Sequence, residues 1–349
     1  MKYYELVTAE NLFSAWYAFR KGKQNKWDVM EFERNLEDNI FQLLDELNTK
    51  NYKHRGYSTF HVYDPKFRII NKACVRDRVV HHLVYDFLEP IFQPTFIHHS
   101  YACQKEKGIH KAVEELSDAL RQASCNDTRQ LWSLKLDIKK FFDSISQDVL
   151  LQLLKRKIKD QDTLWFFEEI IQSYHSTQGL GIGLPIGNLT SQIFANIYLS
   201  ELDYYAKCTL HERYYFRYAD DFIFLHHNRA YLEQIEADVK SFVTERLRMT
   251  VHPGKISYRK FTQGIDFVGY VLLPHYRVLR TKTKQRMFKK VMGKVRKYNA
   301  GTLDEWSLDQ CTQSYFGLLT HCSGYRMKER LQNEIWLGKV GIQENDDLG

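Results

Sequence analysis

Apolar residues recur along this chain with two different periods, and the changes of period mark its elements. Residues 9–19 place Leu12, Ala15, Trp16 and Phe19 three or four apart, the spacing of one helix face. A basic, glycine-containing loop follows, and a second helix is predicted over residues 28–48. Residues 51–72 alternate in strand fashion. Residues 75–92 return to the helical period, which is predicted to stop near Pro90 because a proline ring and its missing N–H disrupt a helix interior. Leu134-Lys135-Leu136-Asp137-Ile138 alternates as a strand and delivers Asp137 at its end. Beyond a glycine-rich approach, Leu189, Ile193 and Ile197 recur at fourfold spacing, with Asn188, Ser191, Gln192 and Asn196 on a polar face beside them. Two apolar runs, Tyr214-Tyr215-Phe216 and Phe222-Ile223-Phe224-Leu225, flank Tyr218-Ala219-Asp220-Asp221 and predict a short β-hairpin. A helix starting near Tyr231 carries Leu232, Ile235, Val239, Phe242, Val243 and Leu247 on one face. Strands at 256–258 and 264–273 precede helical stripes over residues 280–338 that include Tyr315, Leu318 and Leu319. The polar tail at 343–347 is expected to be disordered.

Composition narrows the class. The 349 residues are 44% hydrophobic, enough for a large core in two or three subdomains. A formal charge of +7 and a sequence pI near 8.9 favour a polyanionic partner. Basic clusters fall at Arg20-Lys21-Gly22-Lys23, at Lys155-Arg156-Lys157 and from Lys282 to Lys297, interleaved with many of the 22 tyrosines and 22 phenylalanines. Cationic side chains neutralise phosphates and aromatic faces stack on bases, although a solvated helix face accounts for the last cluster equally well. The cysteines Cys74, Cys103, Cys125, Cys208, Cys311 and Cys322 have no metal-ligand spacing and read as reduced, mostly buried thiols. The pairs His81-His82, His98-His99 and His226-His227 point in diverging directions and read as structural. No apolar run reaches the length that spans a bilayer, so a cytoplasmic protein without a membrane partner is expected.

The chemistry concentrates in carboxylates. Asp220 and Asp221 lie side by side at the hairpin tip, where a polar turn would explain them, since Asp is a common turn residue. Like charges held together are costly unless a cation neutralises them, and oxygen-only ligands favour a hard ion such as Mg2+. Asp137, at the end of its own strand, supplies a third carboxylate. Three such groups can hold the two metal ions that serve phosphoryl transfer at a nucleic-acid 3′ end. Asp221 is the weaker ligand of the three, because successive strand residues face opposite ways.

Leu136-Asp137-Ile138-Lys139-Lys140-Phe141-Phe142-Asp143, then Leu184-Pro185-Ile186-Gly187-Asn188-Leu189-Thr190-Ser191-Gln192, then Tyr218-Ala219-Asp220-Asp221 resemble the successive palm motifs of reverse transcriptases. Within that lineage, which includes the group II intron enzymes, the chain is most similar to the diversity-generating retroelement branch. Ile186-Gly187 followed by Ser191-Gln192 is the variant that branch carries. The resemblance continues through Tyr63-Asp64-Pro65-Lys66, through Val75-Arg76-Asp77-Arg78-Val79-Val80-His81-His82 and through Ser100-Tyr101-Ala102, and covers roughly residues 10–335. Gln104-Lys105-Glu106-Lys107-Gly108 departs from it, standing where a more basic, glycine-richer run is expected to meet the template.

The resemblance implies a right-hand polymerase, an α/β (α+β) fold with a mainly antiparallel palm sheet and helical fingers and thumb. Residues 1–50 would be an N-terminal helical extension, 51–131 the fingers, 132–275 the palm with a fingers insertion near 147–180, and 276–349 the thumb and tail. Asp137, Asp220 and Asp221 would be catalytic and would hold magnesium, with the Ile138 carbonyl as a further ligand. Phe142 matches the ring that blocks a ribose 2′-hydroxyl. Arg68 and Arg76 lie in the segment that clasps the triphosphate, and guanidinium suits bidentate phosphate contact. Ile186 and Gln192 would border the incoming nucleotide, and Lys255 would approach its phosphates. Ile186 stands where many relatives carry Gln, so the resemblance implies looser selection, most of all opposite template adenine.

The function so implied is RNA-directed DNA synthesis from deoxynucleoside triphosphates, yielding adenine-mutagenised cDNA that diversifies a target gene. Template RNA, a cDNA primer and a small basic accessory protein forming an oligomeric barrel would be partners, and no endonuclease or maturase extension is expected. A group II-like or phage-defence reverse transcriptase is the alternative within the family. A catalytically idle RNA-binding scaffold is the alternative outside it.

Overall fold

The computed structural model describes residues 2–64 and 66–340; the polar tail at 343–347 lies outside them. The chain divides into two units, one taking in residues 1–108, 135–224 and 233–256, the other 109–134, 225–232 and 257–349.

The first unit opens with α1 (Tyr3–Leu6) and α2 (Ala9–Arg20), the latter capped by the Thr8 hydroxyl, which accepts from the Asn11 N–H. Leu12, Ala15, Trp16 and Phe19 are its buried face, as their spacing predicts. The single helix expected over residues 28–48 is instead two, α3 (Trp27–Arg34) and α4 (Leu36–Asn48). Asn35 leaves the helical region at φ −124° and ψ 46°, and the Asn39 amide donates to the Phe32 carbonyl that the break exposes. Strands β1 (Tyr57–Val62) and β2 (Arg68–Ala73) form an antiparallel hairpin with Tyr57 opposite Ala73 and Val62 opposite Arg68. Helix α5 (Val75–Phe92) runs through Pro90 instead of stopping there. A proline in the last turn removes one bond only, and the buried Phe87, Leu88 and Phe92 hold that turn in place. The N-terminal helices are tied to this region by charge. Asp28 accepts from both Lys72 and Arg78 at 2.6 Å, and Glu46 pairs with Arg76.

In the second unit α6 (Ile109–Ala123) buries Ala112, Val113, Leu116 and Leu120. The chain then forms β3 (Trp132–Asp137), α7 (Phe141–Ser144), α8 (Gln147–Lys157), α9 (Gln161–Ile171), α10 (Leu189–Tyr204), β4 (Tyr215–Tyr218), β5 (Asp221–His226), α11 (Arg229–Glu245) and β6 (Ser257–Lys260). Four strands make one sheet in the order β4-β5-β3-β6, with β4 and β5 antiparallel. Helix α10 is buried almost all round, so the polar face expected on it is largely internal. Asn188, Ser191 and Asn196 are buried and bracket backbone: Asn188 donates to the Asn71 carbonyl, Ser191 to Pro185 and Asn196 to Ala102. A buried polar side chain persists where it satisfies a main-chain group that has no other partner.

The strand expected over 264–273 is a hairpin, β7 (Ile265–Phe267) and β8 (Tyr270–Leu272), continued by β9 (Arg277–Leu279). Val268 and Gly269, at φ 40° and 97°, make the two-residue turn. Helices α12 (Thr281–Asn299), α13 (Glu305–Thr320) and α14 (Tyr325–Val340) complete the second unit, α12 burying Met287, Val291 and Val295 at fourfold spacing. The six cysteines are free, but none is buried, and Cys103, Cys125 and Cys208 are exposed. Cys103 and Cys125 occupy positions of positive φ in loops, outside the helices and strands whose faces are buried. Of the histidine pairs, His81 stacks on His54 and His99 on Phe216. Among the described residues, no helix is long and apolar enough to cross a membrane.

Candidate active site

The acidic site is built by backbone hydrogen bonds at the ends of three segments. Strand β3 ends on Asp137, and the next N–H, that of Ile138, donates to the Asp220 carbonyl at 3.3 Å. On the other side, the His252 N–H donates to the Asp137 carbonyl at 2.8 Å and the Lys139 N–H to Thr250 at 2.9 Å. These bonds set Asp137 and Ile138 between the β4–β5 turn and the segment at 250–255. In that turn Tyr218 pairs with Asp221, leaving Ala219 and Asp220 as its two central residues.

Two lysines answer the three carboxylates. Lys255 donates to Asp137 Oδ1 at 2.6 Å, and Lys135 pairs with Asp221 Oδ2 at 2.8 Å. Lys135 precedes Asp137 by two residues on β3 and so shares its face. Asp220 is the least compensated. Burial first, and then the charges of Asp137 and Asp221, push its carboxyl up to about 6, with Lys255 pulling the other way. A carboxylate that ionises reluctantly is what a hard divalent cation relieves, so Asp137, Asp220 and the Ile138 carbonyl suit such an ion by their chemistry, whereas Asp221 is paired with Lys135 and the three carboxylates do not present oxygens all within 4.8 Å of one another.

The other expected site residues divide. Phe142 is half-buried, and its carbonyl accepts from the Leu184 N–H at 2.9 Å, which ties it to the Pro185 loop. Ile186 is also half-buried, and its carbonyl accepts from the Asn71 N–H of β2 at 2.9 Å. The neighbouring Gly187 has φ 113°, and a Cβ there would lie 2.6 Å from Ile70 Cγ2, so only glycine lets this loop meet β2. Gln192 is exposed and lines a cavity of about 440 Å3 with Phe60, Ile70, Lys72, Arg78 and Gly187. Arg68 is exposed at the start of β2. Arg76 is not available as a phosphate clasp. Its guanidinium is shared among Glu46, Asp77 at 2.9 Å and the Lys53 carbonyl, over the ring of Tyr52, and burial holds it in this structural role.

The sequence model of the family described as reverse transcriptase (RNA-dependent DNA polymerase) matches residues 57–272, more than half of the chain. The chain belongs to the reverse transcriptase family. Its enzymatic class is RNA-directed DNA polymerase, for which a divalent ion is the general cofactor. This reverse transcriptase is 26% identical over 275 residues to Protein YkfC of Escherichia coli, covering 66% of the present chain and 70% of that protein. It is 28% identical over 145 residues to the group II intron-encoded protein LtrA of Lactococcus lactis, covering 40% of this chain and 22% of LtrA. Among solved structures, a Candida albicans telomerase in complex with a telomeric RNA fragment superposes with a TM-score of 0.53 at 14% identity, over 90% of this chain and 60% of that one. The right-hand polymerase fold implied by the motifs is therefore the fold of this chain, while it spans less than a quarter of the intron-encoded relative.

Three residues of the site were not foreseen from the sequence. Lys135 carries a signal, since its strand alternation puts it beside Asp137. Arg217 carries a stronger one, as a cation inside an otherwise aromatic strand. Asp203, its partner, is hidden among helical residues and has no local mark.

Proposed function

We propose that this reverse transcriptase extends a primer 3′ end with deoxynucleotides on an RNA template, using magnesium, in a diversity-generating retroelement. The observation that carries the catalytic part is the bond from Ile138 N–H to the Asp220 carbonyl, which draws two acidic positions 83 residues apart in sequence into one site. A bound pair of divalent ions would supply activation of the primer hydroxyl and neutralisation of the leaving pyrophosphate. Asp137 and Asp220 would hold the ions, Asp221 standing beside them on Lys135. Lys255 is placed to move from Asp137 to the triphosphate as the ions arrive, and Arg68, not Arg76, is the arginine of β2 and α5 left to meet phosphate. Phe142, anchored through its carbonyl, would press on the sugar and exclude a 2′-hydroxyl.

Ile186 supports the retroelement assignment. An aliphatic side chain on the loop that Asn71 holds offers the nascent base pair no amide to hydrogen bond, so selection relaxes. The expected products are cDNAs altered at template adenines, and the partners are a structured template RNA and a small basic accessory protein. The intron-encoded relatives favour a second reading, a group II-like enzyme of ordinary fidelity. Primer extension on RNA by the purified chain, with the products sequenced, separates the readings. DNA synthesis lost in Asp220→Ala, with errors at adenine reduced by Ile186→Gln, supports the retroelement assignment. Accurate products from the parent chain favour the group II-like enzyme, and synthesis unchanged in Asp220→Ala refutes the active site.

A further inference from the structure

Beneath the acidic turn lies a charged pair sealed from solvent. The side chains of Arg217 on β4 and Asp203 in the last turn of α10 are both 0% exposed. The pairing is bidentate, Nε to Oδ1 and the second terminal nitrogen to Oδ2, each at 2.7 Å. Tyr215 adds its hydroxyl to Asp203 Oδ1 at 2.8 Å. The remaining guanidinium nitrogen donates to Asn196 Oδ1 at 3.3 Å and to the Ala219 carbonyl at 3.2 Å.

Neither partner is where local preferences would put it. The helix continues past Tyr204 as a π-helical turn over Tyr205–Thr209, so Asp203 is a carboxylate buried inside it, and a guanidinium out of water needs every donor satisfied. Such a pair contributes little to stability compared with an apolar pair of the same volume. What it does here is geometric. Ala219 sits at φ 52° in the two-residue turn, a position that favours glycine, and an alanine there costs roughly 1 kcal/mol. The bond from Arg217 fixes the carbonyl of that residue, and the next residue is Asp220.

We propose that Arg217, clamped by Asp203, is a positioning residue that fixes the direction in which Asp220 leaves the turn. Helix α10 is the other half of the device, because its first turn begins at the Asn188 bracket and its last turn carries Asp203. It therefore joins the loop bearing Ile186 to the acidic hairpin as one rigid piece. This role rests on the polymerase reading of the site, since it assigns Arg217 to the placement of a metal ligand.

The test compares the full-length parent with Arg217→Gln/Asp203→Asn, an uncharged pair too short to reach Ala219, and with Arg217→Lys, which keeps the charge but not the fork. Binding of Mn2+ is measured by spin resonance of the free ion, melting by calorimetry, and primer extension by kcat and KM. The double variant is expected to melt near the parent yet bind Mn2+ about 10- to 100-fold more weakly, as loss of a ligand's supporting contact does. Its kcat is expected to fall in step while the KM for nucleotide stays, and Arg217→Lys to fall between. If the double variant does not fold, Arg217→Lys alone carries the comparison of ion binding. A folded variant with the parent's affinity for Mn2+ and the parent's kcat overturns the proposal and leaves the polymerase reading intact. A parent that takes up no ion and extends no primer overturns both.

Discussion

Replacing Asp220 by Asn is expected to stabilise the metal-free protein while abolishing its activity. The carboxyl is raised from its ordinary 3.8 to about 6, so at neutral pH the folded chain holds a charge that the unfolded chain carries at no penalty. A difference of this size corresponds to at most about 3 kcal/mol. The sign follows from linkage: a carboxyl raised on folding adds stability fully below its unfolded value near 4, and that contribution is lost as the pH rises through 6. The penalty that Asn removes is therefore complete at pH 8 and about half as large at pH 5. With about 2.1 cal/mol/K of unfolding entropy per residue, unfolding all 349 residues together translates 3 kcal/mol into about 4 °C. Differential scanning calorimetry in chelator at pH 8 and pH 5 measures this directly. Adding Mg2+ reverses the order, because an ion at about 1,000 times its Kd stabilises the parent by about 4.1 kcal/mol, more than the penalty removed, and Asn is the poorer ligand. A variant no more stable than the parent in chelator at pH 8, or a gain that grows toward pH 5, refutes the electrostatic account of the site.

Other outcomes follow from neighbouring contacts. Arg76→Ala is expected to lower stability by about 3 kcal/mol, by leaving Glu46 without its partner and the buried Asp77 without its guanidinium, with the nucleotide KM unchanged; Arg68→Ala should raise the nucleotide KM and leave stability unchanged, as urea denaturation and steady-state kinetics will show. Lys135→Met removes the cation beside Asp221 and makes the site more negative, so the Mg2+ concentration giving half-maximal synthesis should fall about threefold or more, and an unchanged requirement refutes the pairing. Gly187→Ala forces a Cβ onto Ile70 at a backbone angle alanine avoids, so it should cost about 1 to 3 kcal/mol and most of the activity, measured by thermal melts and primer extension.

Periodic segments were legible in the sequence wherever one face of an element is buried. Helix α2 and the β4–β5 hairpin are cases, since their apolar spacing and the packing are the same information. Asn35 and the Val268-Gly269 turn were missed because a break needs only one or two residues with unusual dihedrals, and the apolar pattern runs straight across them. The three carboxylates were legible as candidate chemistry, although a polar turn would also explain two of them, but their counter-charges were not. Lys135 and Asp203 act through partners 86 and 14 residues away, and sequence spacing says nothing about which distant charge a buried one will meet. Arg76 misled for the same reason, because an arginine in a promising stretch looks alike whether it faces phosphate or is locked against Glu46.

Asp28 and Glu46 have a practical bearing on anyone who wishes to shorten this enzyme. Cutting the chain before residue 50 would strip Lys72 and Arg78 of Asp28 and leave Arg76 with Asp77 as its remaining carboxylate. Two orphaned cations would then crowd the strand and helix that lead to the loop bearing Ile186. A minimal polymerase made from this protein must carry its first fifty residues with it, however dispensable they look in an alignment of motifs.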